Sequence, residues 1–375
     1  MEEWIRPEKG VLYRGNLYRL KECMKKAAAG QTVTAGFIGG SITQGALASG
    51  KETCYAYLIY EWWQEKFPAA RITYLNAGVG GTTSQFGVAR VNEHLLKHRP
   101  DFVLAEFAVN DQNTDFYKET YEGLVRNLLT GESKPAVVLM HNVDYTNGEN
   151  AQAQHHEVAR AYELPSISMK ESIWLELARR GSQMEDIMPD GLHPNDRGHQ
   201  LIAKVIIAFL ESVLAEINTA EPVPFWHKGG LRTSITKNAY QHCTWYQNQN
   251  SRAVCDGFQP DYSTSHFMQG GFYNGWTAQT LNDKIVIEVT GSEIAIQYRK
   301  TIHRPAPVAQ VVLDGKEAEA IVLDGNFKED WGDCLFLETI LYHGENKKHT
   351  VDIRIIETHE NDQVPFYLAS VIASW

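Results

Sequence analysis

Apolar and polar positions alternate in two different rhythms along this chain. Up to about residue 218, short β-type apolar runs are separated by segments of helical periodicity. The runs TVTAGFIGG (32–40), ITYLNAGV (72–79), FVLAEFAVN (102–110) and AVVLM (136–140) read as buried parallel strands, and PSISM (165–169) as a weaker fifth. Between them, helical patterns run near 53–67, 84–98, 117–129, 151–162 and 171–180. The clearest helix comes last: Leu201, Ile202, Val205, Ile206, Phe209, Leu210, Val213, Leu214 and Ile217 recur at core-facing spacing, with Pro194 near its start.

Strand and helix in alternation predict a parallel sheet covered by helices on both faces. Five strands predict a flavodoxin-like three-layer α/β/α domain over 1–218. In such sheets ligands bind beyond the carboxyl ends of the strands. TAEPVPFW (219–226), with two prolines, reads as a linker. Residues 227–375 then change texture. KIVIEV, EIAIQYR, AQVVLDG, CLFLETIL, HTVDIRII and FYLASVIA are short β-type runs separated by turn signals such as LDG and HGEN. They predict an all-β, jelly-roll-like second domain.

Composition narrows the functions. The 375 residues are 43% hydrophobic and 22% charged, with a formal net charge of −11. An acidic chain without a basic stripe argues against nucleic acid and anionic membranes, and fits a neutral substrate. The opening MEEWIRPEKG lacks the basic and apolar regions of an export signal, and no apolar run reaches membrane-spanning length. Five cysteines, an odd number without metal-ligand spacing, read as reduced thiols. A cytosolic protein is expected, with an oligomeric state left open.

Four short blocks carry chemistry. In FIGGSITQG (37–45), Ser41 follows a strand and two glycines, a setting that exposes a serine oxygen; alone, it reads equally as a turn serine or helix cap. NAGVGGTTSQFG (76–87) supplies a glycine-rich turn able to aim N–H groups at an anion. FAVNDQN (107–113) places Asn110 after the third strand, where its amide can donate; an Asx-turn is the plainer alternative. In MPDGLHPNDRGH (188–199), Asp190 and His193 are three apart, so one turn can present a carboxylate to an imidazole. A helix-capping aspartate beside a surface histidine is the alternative there. The predicted fold brings all four blocks to one edge of the sheet. Nucleophile, base, orienting carboxylate and oxyanion donors together meet the needs of acyl transfer.

These blocks resemble, in order and spacing, those of the SGNH (GDSL-like) hydrolase superfamily, named for its Ser, Gly, Asn and His. The resemblance covers about residues 30–215. It implies Ser41 as nucleophile, Gly81 and Asn110 as oxyanion donors, and Asp190 and His193 as the remaining partners, with no cofactor. Gly40 and Ile42 flank the serine where the lipase-like form has other residues, which resembles carbohydrate-esterase branches. The second half resembles carbohydrate-binding modules, and the two-domain plan resembles esterases of acetylated mannan. The implied substrate is an acetylated hemicellulose oligosaccharide. A lipid or small-acyl esterase or thioesterase, and a non-catalytic glycan-binding protein, are the alternatives.

Two aromatic residues in turn-rich segments, Trp276 (within 269–279) and Trp331 (within 324–334), are candidates for stacking on sugar, with a core position as the default for each. The histidines suggest no metal site. His155 and His156 point to different faces of a helix, and His199 reads as helix surface or structural.

Overall fold

The computed structural model describes residues 4–181, 184–228, 230–263 and 272–375. The chain divides into two compact units, Met1–Asn238 and Ala239–Trp375.

Among the described residues, the first unit is a six-stranded sheet between helices. Its strands are β1 (Val11–Tyr13), β2 (Val33–Gly39), β3 (Ile72–Gly78), β4 (Phe102–Glu106), β5 (Ala136–His141) and β6 (Ser166–Ser168). They lie in the order β1-β6-β5-β4-β2-β3. All neighbours are parallel except β1, which pairs antiparallel with β6. The five parallel strands follow the expected flavodoxin-like order. The chain reverses direction across the sheet at β2, which has β3 on one side and β4 on the other. A crevice at the carboxyl ends of such strands is where doubly wound sheets bind ligands.

The helices are α1 (Tyr18–Ala28), α2 (Ser41–Gln44), α3 (Tyr55–Lys66), α4 (Ser84–His94), α5 (Asp115–Thr130), α6 (Gln152–Ala161), α7 (Leu175–Arg180) and α8 (Asp196–Leu214). Side chains of α1, α3 and α8 form one core with Phe37, Phe102, Leu104 and Val138 of the sheet. The alternate strand positions Ile38, Val103, Ala105, Val137 and Leu139 are buried as well. On this chain α4 packs on α5 and α5 on α6. Both faces are therefore covered, which is why β4 and β5 are apolar almost throughout. The sequence reading did not anticipate β1 or α1. In α1, lysines interrupt the apolar stripe of Leu20, Cys23, Met24 and Ala27.

The predicted linker belongs to the first unit. Lys21 pairs with Glu221 at 3.0 Å, and the Asn16 amide donates to Pro222 O at 2.9 Å. The Arg19 guanidinium lies 4.0 Å over the Trp226 ring, whose N–H donates to Tyr162 O. Further on, the Glu122 carboxylate accepts the N–H groups of Ile235 and Thr236. Glu221, the buried Trp226 and the backbone at Ile235 and Thr236 are thus tied to the first unit, and the second unit starts at Ala239 and not at 227.

Among the described residues, the second unit contains two antiparallel sheets. Its strands are β7 (Cys243–Tyr246), β8 (Val254–Asp256), β9 (Gln259–Pro260), β10 (Trp276–Ala278), β11 (Lys284–Gly291), β12 (Glu293–Lys300), β13 (Val308–Leu313), β14 (Ile321–Asp324), β15 (Cys334–Leu341), β16 (Lys347–Glu357) and β17 (Phe366–Ser374). One sheet runs β15-β12-β17-β10-β9, with β7 also on β17; the other runs β14-β13-β16-β11-β8. Alternation explains the packing. Ile285, Ile287 and Val289 of β11 and Val351, Ile353 and Ile355 of β16 point into the core. The predicted turn at Asp314–Gly315 has positive φ at both residues, 53° and 71°, as a type I′ β-turn requires, and the Lys316 N–H donates to Leu313 O across it at 3.1 Å.

Candidate active site

Strand β2 ends at Gly39, and α2 begins two residues later at Ser41. The intervening Gly40 sits against Asn110: a Cβ there would lie 2.2 Å from Asn110 Oδ1. Only glycine lets the asparagine approach so closely. The Ser41 hydroxyl and His193 Nε2 are 2.8 Å apart. His193 Nδ1 lies 2.6 Å from Asp190 Oδ2, while Asp190 Oδ1 accepts the backbone N–H groups of Leu192 and His193 at 2.9 and 2.6 Å. The spacing of three thus folds into one turn that holds carboxylate and imidazole edge to edge. Partial burial disfavours charge on Asp190, yet the hydrogen bonds from His193 and Leu192 outweigh it and hold the carboxyl below its usual range.

The second glycine-rich turn follows β3. The Gly80 N–H donates to Gln44 Oε1 at 2.9 Å. Gly81 comes next with φ +67°, and among the described residues nothing accepts its N–H. Asn110, in the turn after β4, is half-buried, and its Oδ1 lacks a protein partner. Ser41, Gly81, Asn110 and the Asp190–His193 turn all lie at the carboxyl ends of the strands or in the loop before α8. A polarised hydroxyl, a base with its orienting carboxylate, and N–H donors nearby can carry out attack on a carbonyl.

The GDSL-like Lipase/Acylhydrolase family matches residues 37–201, a stretch that holds all four blocks. Two solved structures of a two-domain esterase active on acetylated mannans are 50% identical to the chain. Each covers 99% of it, and the chain covers 98% of theirs. The TM-scores are 0.96 and, for the structure co-crystallised with mannopentaose, 0.93. The chain belongs to the GDSL-like (SGNH) hydrolase family.

As a member of that family it is a carboxylic ester hydrolase. Another relative, thioesterase 1/protease 1/lysophospholipase L1 of Escherichia coli (strain K12), is 27% identical over 186 residues, covering 48% of this chain and 82% of the relative.

This SGNH site rests on buried polar supports that the sequence reading missed. Arg90 is fully buried in α4 and donates to Ala77 O and Gly39 O at 2.6 and 3.0 Å. It thereby clamps the ends of β3 and β2 together. Asn76 donates to Thr43 O at 2.7 Å and accepts the Gly78 N–H, joining α2 to β3. His199 takes the structural of its two expected places and is fully buried. Its Nδ1 accepts the Tyr55 N–H at 3.3 Å and its Nε2 faces Ala46 O at 3.2 Å. Burial pushes it down to about 4, so it is neutral and fixed in one tautomer. At the surface, Asp196 accepts the N–H and hydroxyl of Ser49, tying the loop after the nucleophile block to α8. The signal for Arg90 was available: a charged residue at an apolar position of its helix, between Val88 and Val91.

The two candidate tryptophans part ways. Trp276 is a strand residue of β10, 2% exposed, in a core with Phe366 and Leu368. It is not at a loop tip, because its strand pairs with β17 and turns the ring inward. Residues 269–271 of its segment lie outside the described residues. Trp331 is 58% exposed between β14 and β15, edge-on to Phe327, with its N–H donated to Glu329 Oε2 at 2.6 Å. Among the described residues, no helix is long and apolar enough to cross a membrane, and no group of three or more His, Cys, Asp or Glu is placed to hold a metal ion.

Proposed function

We propose that this esterase removes O-acetyl groups from acetylated mannan oligosaccharides by a serine mechanism. The observation that carries the substrate is likeness across both units: 50% identity over 99% of the chain to an esterase active on acetylated mannans. A single shared catalytic domain would not carry it.

His193 Nε2 takes the proton of the Ser41 hydroxyl as the oxygen attacks the acetyl carbonyl. The Nδ1–H of His193 donates to Asp190, which fixes the tautomer and stabilises the imidazolium that forms. The N–H groups of Ser41 and Gly81 and the Asn110 amide receive the negative charge on the carbonyl oxygen. His193 then protonates the departing sugar hydroxyl. Water, activated by the same ring, hydrolyses the acetyl-serine. Every proton is handled by groups of the chain, so the cycle closes without a cofactor. The second unit, with Trp331 exposed, serves in this reading as a carbohydrate-binding module. Five free thiols support a cytosolic setting and an imported oligosaccharide as substrate.

Acetate release from acetylated mannooligosaccharides and acetylated xylooligosaccharides, beside thiol release from a long-chain acyl thioester, tests the proposal. The acetylated mannooligosaccharide is expected to give the highest kcat/KM, and Ser41→Ala to abolish its turnover. Faster turnover of the thioester would move the protein to the thioesterase class of its E. coli relative.

A further inference from the structure

Beneath the oxyanion edge, one buried carboxyl joins two loops of the site. Asp111 directly follows Asn110, and its N–H donates to Phe107 O at 2.9 Å, closing the turn that presents Asn110. Its Oδ1 accepts the N–H of Ser84 at 2.8 Å. Ser84 opens α4, three residues beyond Gly81. A single side chain thus spans from the turn of Asn110 to the loop of Gly81. Its other oxygen, Oδ2, lies 3.0 Å from Nε2 of His155 on α6.

The far end of this bracket is held as firmly. The Tyr121 ring of α5 stacks on His155, with centroids 3.6 Å apart and planes within 6°. The Ser84 hydroxyl shares a 2.6 Å hydrogen bond with Thr120, also on α5. Asp111 is 5% exposed, and Ser84 and His155 are fully buried. None of these groups is hydrogen-bonded to Ser41, His193 or Asp190. Buried polar groups of this kind gain little net stability over apolar packing but fix a geometry. Oxyanion stabilisation depends on donors already in place when charge develops.

We propose that Asp111, seated on His155, is a positioning residue that sets the spacing between the Gly81 N–H and the Asn110 amide, an inference that rests on reading those two groups as oxyanion donors. Burial favours the neutral forms of the pair, pushing Asp111 up to about 8 and His155 down to about 3. A neutral Asp111 accepts from Ser84 with one oxygen and donates an O–H to His155 with the other. Asparagine offers the same polarity, a carbonyl to Ser84 and an N–H to Nε2. Alanine offers neither.

The test measures kcat and KM on an aryl acetate for Asp111→Asn, Asp111→Ala, Asn110→Ala and the Asp111→Ala/Asn110→Ala pair, with thermal unfolding of each. Asp111→Ala is expected to lower kcat about 10–10²-fold, the effect of a donor displaced by about 1 Å, with little change in KM. Asp111→Asn should stay within about 3-fold of wild type, and Asp111→Ala should cost little more on the Asn110→Ala background. Ser84→Pro gives a second route if Asp111→Ala does not fold. Proline suits the first helical position, and Thr83 before it is extended, with ψ 174°. It deletes the N–H that Asp111 accepts and should lower kcat in the same way. Unchanged kcat in Asp111→Ala or Ser84→Pro, equal losses in Asp111→Asn and Asp111→Ala, or multiplying losses in the pair would overturn the inference. An Asn110→Ala enzyme with wild-type kcat would instead overturn the oxyanion reading beneath it.

Discussion

His193 Nε2 stands 2.8 Å from the hydroxyl of Ser41, although 152 residues separate the two in the chain. The strand β2 delivers the serine and the loop before α8 delivers the histidine, so their meeting is a product of the sheet order. If they act as one unit, removing either removes the function of both. Ser41→Ala and His193→Ala should each lower kcat by roughly 10³–10⁶-fold, and the double variant should be no slower than the singles. Kinetics on an aryl acetate, with circular dichroism to verify the fold, measure this. Near-wild-type turnover by folded Ser41→Ala would refute the mechanism.

The contact between Gly40 and Asn110 gives a second expectation. Asn110→Ala should lower kcat by roughly 10²–10³-fold with a smaller change in KM, because the charge it meets develops only in the transition state. Gly40→Ala should act through the same group. Its methyl would lie 2.2 Å from Asn110 Oδ1 and must displace the amide. A kcat loss of about 10-fold or more is expected. An effect confined to KM in both variants would make Asn110 a substrate-positioning residue.

Glu106, at the end of β4, is fully buried, and burial pushes its carboxyl up from 4.5 to about 8 despite an N–H from Ala108. Its folded-state value is raised, so between these two values the folded chain holds a proton that the unfolded chain releases. The contribution of Glu106 to stability is complete below its unfolded value and is lost as pH rises through about 8. Asp111, raised for the same reason, adds in the same direction. Glu106→Gln cannot titrate. Its unfolding midpoint should therefore fall less steeply than that of wild type between about pH 5 and about pH 9. Parallel curves would show that Glu106 is ionised in the folded protein.

Trp331 presents more than half of its surface to solvent, beside Phe327, where an apolar face can stack on a sugar ring. A small aryl acetate offers no such ring to hold. Trp331→Ala should lower kcat/KM on acetylated oligosaccharides by about 10-fold or more while leaving the aryl acetate nearly unchanged. Trp276→Ala is the structural control: loss of a buried indole should lower the unfolding temperature. Equal losses on both substrates for Trp331→Ala would assign it a structural part.

The sequence by itself determined the layers and the four blocks. Strands buried on both faces must be apolar throughout, and a core-facing helix must repeat every three to four residues, so β2 to β5 and α8 were legible from local pattern. The Asp190–His193 pair was legible because three residues make one turn. Tertiary structure alone decided the rest. Nothing local says that Trp226 docks on Arg19, and so residues 219–226 read as a linker. Nor does local pattern separate a tryptophan in a short strand from one at a loop tip, which is why Trp276 and Trp331 looked alike. Arg90 and Asp111 escaped notice, and His199 was left between surface and structural, for the same reason. Their partners, Gly39, Ala46 and Ser84, lie on other elements, and a polar side chain is stable when buried only where the fold brings such a partner to it.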